Sequence, residues 1–152
     1  MKILLSIAMF FLSFPALAET PSTGLGVTLG SPNGVTARHW LSQENSIDAG
    51  AGWDLLDSGK FELYSDYLWN RPDTFEINGE KFDLFFGGGL ALRSHSGNGN
   101  ELVIGPRLPV GVSYEFTHPD LEVFAAFALN VGIIPHSDVF LDAHVGVRFY
   151  LF

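Results

Sequence analysis

Apolar and polar residues alternate with a period of two along most of the chain, which is the pattern of half-buried β-strands. Leu102, Ile104 and Leu108, for example, share one parity, whereas Arg107 and Glu115 share the other. Short segments rich in Asn, Asp, Gly, Pro and Ser separate such runs, and these residues favour turns. The pattern predicts eight strands, at residues 24–31, 34–41, 46–55, 60–70, 80–93, 102–116, 121–131 and 139–152.

Almost every charged residue of the predicted strands falls on one face. Successive strand side chains point to opposite faces, so the apolar residues occupy the other face. Eight such strands joined by short turns predict an antiparallel β-barrel with one face inside and one outside. The charged face carries Arg38, Asp48, Asp54, Glu62, Asp66, Lys81, Asp83, Arg93, Arg107, Glu115, Glu122, Asp142, His144 and Arg148.

Two barrel architectures fit this division, and each is the other turned inside out. The apolar face would line a ligand cavity in a lipocalin-like soluble carrier, but it would contact lipid in an outer-membrane barrel. Charged residues make up 16% of the chain, short of the roughly 25% typical of soluble domains. Aromatic residues such as Trp53, Phe61, Trp69 and Tyr114 lie near strand ends, as in interfacial girdles. We therefore predict an eight-stranded antiparallel outer-membrane β-barrel, with the carrier as the alternative.

The first 18 residues have the form of a cleavable signal peptide. Lys2 gives a positive start, an apolar stretch follows, and Ala16 and Ala18 form a small-x-small cleavage pattern before Glu19. We expect residues 1–18 to be removed on secretion. Residues 19–152 would then form the barrel in the outer membrane of a Gram-negative bacterium.

Composition and charge exclude several functions. The chain contains no cysteine, which excludes disulfides and thiolate metal sites. Its formal net charge is -9 with only 8 lysines and arginines, so it lacks the basic stripe that nucleic-acid binding requires. The histidines lack the spacing of a metal site. We expect no nucleic-acid partner, no metal and no cofactor.

The inward charges are the strongest candidate site. An eight-stranded barrel is only wide enough for its own side chains, so opposite charges inside it must pair or meet trapped water. We expect a lumen ion-pair network that fills the interior instead of a pore. Its predicted members are Arg38, Asp48, Glu62, Asp66, Asp83, Arg93, Arg107, Glu115, Glu122, Asp142, His144 and Arg148.

Two features depart from the regular pattern. Pro106 and Pro109 lie within one predicted strand, and proline donates no ladder hydrogen bond. They predict a bulge, a kink or a local gap in pairing. At the C-terminus, Tyr150 and Phe152 share the parity of Arg148, which predicts either a register shift or a terminal pair at the barrel rim.

Four segments resemble a widespread family of small eight-stranded outer-membrane barrels from Gram-negative bacteria. They are GSPNGVTARHWL at 30–41, YSDYLW at 64–69, RLPVGVSYEF at 107–116 and GVRFYLF at 146–152. The chain resembles most closely the predatory-outer-membrane-protein-like (Pop-type) barrels. That resemblance implies homo-oligomers that trap lipid, and it brings no catalytic motif. Small outward residues and the two prolines are then candidate subunit contacts, namely Gly88, Pro106, Pro109 and Ala125.

The expected function is therefore non-enzymatic: a barrel that binds membrane lipid, forms a homo-oligomer and organises the outer membrane. The alternative from the enzyme class is a lipid A-modifying hydrolase or acyltransferase. Such an enzyme would use His95 and Ser96 as base and nucleophile at the lipid interface. Spacing places no carboxylate beside them, and residues 97–100 (GNGN) are ordinary loop-formers.

Overall fold

The structure, a computed structural model, describes residues 23–54, 60–97, 99–135 and 137–151, without the side chains of residues 95–100. The predicted signal peptide and Phe152 lie outside the described residues. None of the described residues forms a helix long and apolar enough to cross a membrane.

Eight consecutive strands form a closed barrel, and β1 pairs with β8 to close the ring. All neighbouring strands are antiparallel, which confirms the predicted fold class. We call the end where the described chain begins and ends the terminal rim, and the other end the opposite rim. The strands are β1 (Thr23–Gly30), β2 (Asn33–Trp40), β3 (Asn45–Trp53), β4 (Phe61–Ile77), β5 (Glu80–Gly97), β6 (Gly99–Thr117), β7 (Asp120–Gly132) and β8 (Asp138–Tyr150).

Apolar side chains cover the outside of the barrel, and charged side chains occupy its interior. Leu141 is 68% exposed and Val139 is 65% exposed, whereas Arg38, Arg107 and Arg148 are each 1% exposed. Soluble proteins show the reverse distribution. An outer wall of this kind suits contact with lipid. The soluble-carrier alternative requires an apolar interior, so this sidedness argues against it.

The hairpin between β4 and β5 is longer than the alternation predicts. The sequence predicts a strand that ends at residue 70, whereas β4 continues through Ile77. A register shift between Arg71 and Phe75 accommodates Pro72 in the extended hairpin. The difference arises because a bulge lets a proline remain in a strand without donating a ladder hydrogen bond.

The turns at the two ends of β5 differ in how well the sequence predicts them. Asn78 and Gly79 form the predicted turn and have φ values of 55° and 83°. Positive φ at both central residues is typical of a two-residue hairpin. At the opposite rim, β5 and β6 continue to Gly97 and Gly99. The segment predicted as a loop at 94–100 is therefore largely strand.

Pairing between β5 and β6 is interrupted without a change of register. Phe86 pairs with Val110 and Gly89 pairs with Arg107, but the residues between them are not paired across this seam. Pro109 lies within the interval, and it has no N–H group to donate. Of the three predicted consequences of the prolines, the local gap is the one observed.

The last strand keeps its register to the end of the described chain. Leu25 pairs with Phe149 and Gly24 pairs with Tyr150. Phe149 is exposed, while the Tyr150 hydroxyl accepts a hydrogen bond from Trp40 Nε1 at 3.1 Å. No register shift occurs among the described residues of β8, and Tyr150 lies inside the terminal rim.

Candidate functional site

The barrel interior holds a network of ion pairs that the strand register brings together. Arg38 on β2 lies opposite Asp48 on β3. Glu122 on β7 lies opposite Arg148 on β8. Opposite charges at facing positions of two strands attract each other, and the narrow barrel lets these side chains reach strands further around the ring. The resulting contacts fall into two layers.

Arg38, Asp48, Glu122 and Arg148 form the layer nearer the terminal rim. Arg38 donates from Nε to Asp48 Oδ1 and from Nη1 to Glu122 Oε1, both at 2.6 Å. Arg148 donates from Nη2 to Asp48 Oδ2 at 2.7 Å and from Nη1 to Glu122 Oε2 at 3.2 Å. Two guanidiniums and two carboxylates thus form a closed ring without net charge. We call these four residues the balanced layer.

Uncharged polar groups complete the balanced layer. The Tyr150 hydroxyl donates to Glu122 Oε2 at 2.7 Å. Thr36 Oγ1 accepts hydrogen bonds from Arg148 Nε at 3.2 Å and from Arg148 Nη2 at 3.0 Å. Buried charges are tolerated when hydrogen bonds satisfy the donors and acceptors that the ion pairs leave over. Charge patterning does not reveal Thr36 or Tyr150, because neither side chain is charged.

Glu62, Asp66, Arg93, Arg107 and Asp142 form the second layer, nearer the opposite rim. Arg93 Nη2 lies 2.6 Å from both Glu62 Oε2 and Asp142 Oδ1. Arg107 donates from Nε to Asp66 Oδ2 at 2.9 Å, and its Nη1 lies 2.7 Å from Asp142 Oδ2 and 3.1 Å from Glu62 Oε1. Three carboxyl groups therefore face two guanidiniums. We call these five residues the acidic layer.

Asn130 and Ser31 extend the acidic layer. Asn130 Nδ2 donates to Asp142 Oδ2 at 2.7 Å, and Asn130 Oδ1 lies 3.4 Å from Arg107 Nη1. Ser31 Oγ lies 3.1 Å from Asp142 Oδ1 and 3.3 Å from Asp54 Oδ2, and its single hydrogen can serve only one of them. The carboxyl group of Asp142 therefore contacts uncharged polar side chains as well as the two arginines.

Aromatic rings pack against the arginines of both layers. Arg107 lies over the ring of Tyr64, with its Cζ 4.2 Å from the ring centroid, and Arg148 lies over Phe124 at 3.8 Å. His144 packs against both rings, with centroids 6.2 Å from Tyr64 and 6.0 Å from Phe124. Each ring face stabilises the guanidinium above it.

Little free space remains between the layers. A cavity of about 10 Å³ lies there, and its lining includes Asp66, Arg107 and Arg148. One water molecule needs at least that much room. Between the described side chains, this space has room for about one water molecule.

Three predicted members lie outside the two layers. Asp83 accepts a hydrogen bond from the backbone N–H of Asp73 at 2.8 Å, within the extended β4–β5 hairpin. Glu115 is exposed near the terminal rim and forms no ion pair with a described residue. Both have the inward parity, but they lie beyond the narrow part of the barrel where the arginines meet. His144 Nδ1 contacts the carbonyl of Ser31 at 3.3 Å instead of a charged partner.

The candidate subunit contacts divide between the two faces. Gly88, Pro106 and Ala125 have the outward parity of the exposed apolar residues on their strands. Pro109 is buried and lines the interior cavity. Its assignment as an outward contact is wrong, because it shares the parity of Arg107.

The described residues contain no group of three or more His, Asp or Glu side chains that could hold a metal ion. The enzyme alternative depends on the side chains of His95 and Ser96, which are not among those that the structure describes.

Comparisons with known proteins bear on the fold alone. No protein-family model and no curated protein matches the chain. The N-terminal β-barrel domain of OprF from Pseudomonas aeruginosa matches with a TM-score of 0.62 and 16% identity, over 86% of this chain and 97% of that one. Neisserial surface protein A matches with a TM-score of 0.53 and 16% identity, over 86% and 94%. This chain shares the fold of these two solved structures.

Proposed function

We propose that this chain spans the outer membrane of a Gram-negative bacterium as a closed, non-enzymatic barrel. The observation that carries the proposal is the division between an exposed apolar wall and an interior of buried ion pairs. Lipid is the environment in which such a wall is stable. The predicted signal peptide supports secretion, and the two solved barrels with this fold support the location.

Cell fractionation tests this location. The mature chain, expected to begin at Glu19, should co-sediment with outer membranes and should migrate differently on gels before and after heating. Recovery as a soluble periplasmic protein would refute membrane insertion and would favour the soluble carrier instead.

We further propose that the barrel associates into a homo-oligomer that encloses lipid and thereby organises the outer membrane, as the resemblance to Pop-type barrels implies. The wall of β5 offers a site for close approach. A Cβ added at Gly88 would meet only Arg107 O and Leu108 Cδ2, both at 3.9 Å. A neighbouring wall can therefore approach the backbone closely here, beside the unpaired seam with β6. Small residues let membrane segments approach closely, a rule established for helices.

Native mass measurement in mild detergent, combined with lipid analysis, tests self-association. We expect an oligomer with co-purifying phospholipid. Gly88→Trp and Ala125→Trp should dissociate it while the heat-dependent gel shift of the folded barrel persists. Leu141→Trp, at another outward position, is the matched control and should leave the oligomer intact. A strictly monomeric wild-type barrel in several detergents and in nanodiscs would refute self-association without affecting the membrane location.

A further inference from the structure

The two interior layers differ in their balance of charge. The balanced layer contains two guanidiniums and two carboxylates, whereas the acidic layer contains two guanidiniums and three carboxyl groups. If all three carboxyls were ionised, one negative charge would remain uncompensated. In a water-poor interior, such a charge is relieved when a carboxyl takes up a proton.

The carboxyl groups of Glu62 and Asp142 converge on the same two nitrogens. Arg107 Nη1 carries two hydrogens, and three oxygens lie within 3.4 Å of it: Glu62 Oε1, Asn130 Oδ1 and Asp142 Oδ2. Arg93 Nη2 serves the other oxygen of Glu62 and the other oxygen of Asp142, while Arg93 Nε is buried without a hydrogen-bond partner. Two acidic groups are therefore held side by side against shared donors.

Asp66 has one carboxyl oxygen without a hydrogen-bond partner. Its Oδ2 accepts from Arg107 Nε at 2.9 Å, but its Oδ1 has no hydrogen-bond partner. The side chain is only 3% exposed. Burial of a carboxylate oxygen without a hydrogen-bond donor costs free energy. A lower net negative charge in the surrounding layer reduces that cost.

The surrounding groups do not supply the missing positive charge. Asp48 lies opposite Asp66 in the register between β3 and β4, and it already binds Arg38 and Arg148. His144 Nδ1 contacts the Ser31 carbonyl at 3.3 Å, and its ring packs against Tyr64 and Phe124.

Among the described residues, the opposite rim adds further carboxylates and one lysine. Asp54 shares the Ser31 hydroxyl with Asp142, and Asp138 and Glu101 have the inward parity of β8 and β6. Lys60 lies at the edge of the barrel, where its carbonyl accepts a hydrogen bond from the backbone N–H of Asp54 at 3.1 Å. The rim thus adds more acidic than basic groups, so it does not offset the excess of one acid in the acidic layer.

We propose that the acidic layer is a proton-binding site inside the barrel, in which the carboxyl group of Glu62 holds one proton at neutral pH and donates it to the carboxylate of Asp142. The geometry that carries the proposal is the convergence of these two groups on the same nitrogens of Arg93 and Arg107. The bound proton removes the excess negative charge. The proposal concerns the barrel interior and does not depend on self-association.

Infrared spectroscopy of the folded, purified barrel tests the proposal directly. A protonated carboxyl has a C=O stretching band that a carboxylate lacks. We expect this band in the wild type at about pH 7, where isolated Asp and Glu are ionised. Glu62→Gln, a near-isosteric change that supplies amide hydrogens, should abolish the band and leave the urea unfolding midpoint close to that of the wild type. Asp48→Asn in the balanced layer is the matched control; it should keep the band and lower the midpoint.

The pH dependence of unfolding provides a second readout. The folded barrel would hold a proton that the unfolded chain has released, so the wild-type midpoint should fall as the pH rises from about 7 to 9. Glu62→Gln should flatten this dependence. The proposal is refuted if the wild type lacks the band, if the band survives Glu62→Gln, or if Glu62→Gln fails to fold. A midpoint that depends on sodium or potassium at constant ionic strength would likewise refute it, because a metal cation would then hold the place of the proton.

Discussion

Arg107 illustrates how a single buried residue stabilises the barrel interior. Its guanidinium contacts the carboxyl groups of Glu62, Asp66 and Asp142 and lies over the ring of Tyr64. Removal of one partner from a buried ion pair leaves the other charge without compensation. Arg71 presents the opposite case, since its side chain is 59% exposed and lies 3.9 Å from its partner carboxylate.

We therefore expect Arg107→Ala to reduce the free energy of unfolding by about 3–5 kcal/mol. Arg71→Ala should change it by less than about 1 kcal/mol, because exposed ion pairs contribute little. Urea unfolding of the barrel in lipid vesicles measures both values. Equal losses for the two variants would show that the interior charges are not buried as the structure places them.

At the scale of the strand, neighbouring glycines of β5 have different roles. A Cβ at Gly87 would lie 1.9 Å from the backbone oxygen of Tyr67, so a side chain there would push β4 and β5 apart. At Gly88, the nearest atoms would be 3.9 Å away. The first glycine permits close strand packing, whereas the second leaves open space on the outer wall.

Gly87→Ala should accordingly lower the yield of folded barrel and its unfolding midpoint, while Gly88→Ala should leave both nearly unchanged. The heat-dependent gel shift after refolding measures the folded fraction. If both variants refolded as well as the wild type, the close approach of β4 to Gly87 would not be needed for the fold.

Strand alternation predicts the barrel well because the odd and even positions of a strand lie on opposite faces, and the charged residues occupy only one of these sets. Parity places Arg38 and Asp48 on one common face, and the low share of charged residues then indicates that this face is the inside. Parity does not report depth along the barrel, which is why Glu115 shares the inward face without joining either layer. The contact of Asn130 with the acidic layer is not predicted, because the prediction of the interior network used charged residues and Asn130 is an uncharged amide in an apolar run. Pro72 signals a strand end, and only the three-dimensional bulge shows why the strand continues.

Considering the described part of the barrel as one body, the side chains of the two layers and the aromatic rings packed against them occupy its axis. An eight-stranded barrel filled by its own side chains has no room for a column of water. The function of the chain is therefore expected to depend on its outer wall and its two rims.

Planar bilayer recordings test this expectation. The wild-type barrel should give no steady conductance. A double variant, Arg38→Ala with Glu122→Ala, removes one cation and one anion from the balanced layer and should admit water and brief currents. Stable ohmic channels in the wild type would contradict a filled interior.

The lipid A of cells that produce the barrel tests the enzyme alternative. Cells that produce the barrel should show the same lipid A acylation pattern as cells that lack it, as judged by mass spectrometry of extracted lipid A. A changed pattern that Ser96→Ala abolishes would establish acyl chemistry and contradict the non-enzymatic assignment.

The balanced layer also bears on the order in which the barrel assembles. Arg38 and Asp48 come from β2 and β3, early in the chain, whereas Glu122 and Arg148 come from β7 and β8, at its end. The ring of four charges is complete only when both ends of the sheet have met. An open sheet would expose Arg38 and Asp48 without their distant partners, and lipid solvates such charges poorly. Ring closure thus coincides with charge neutralisation, and we expect a partly assembled barrel to stay out of the hydrocarbon until its final strand pairs with the first.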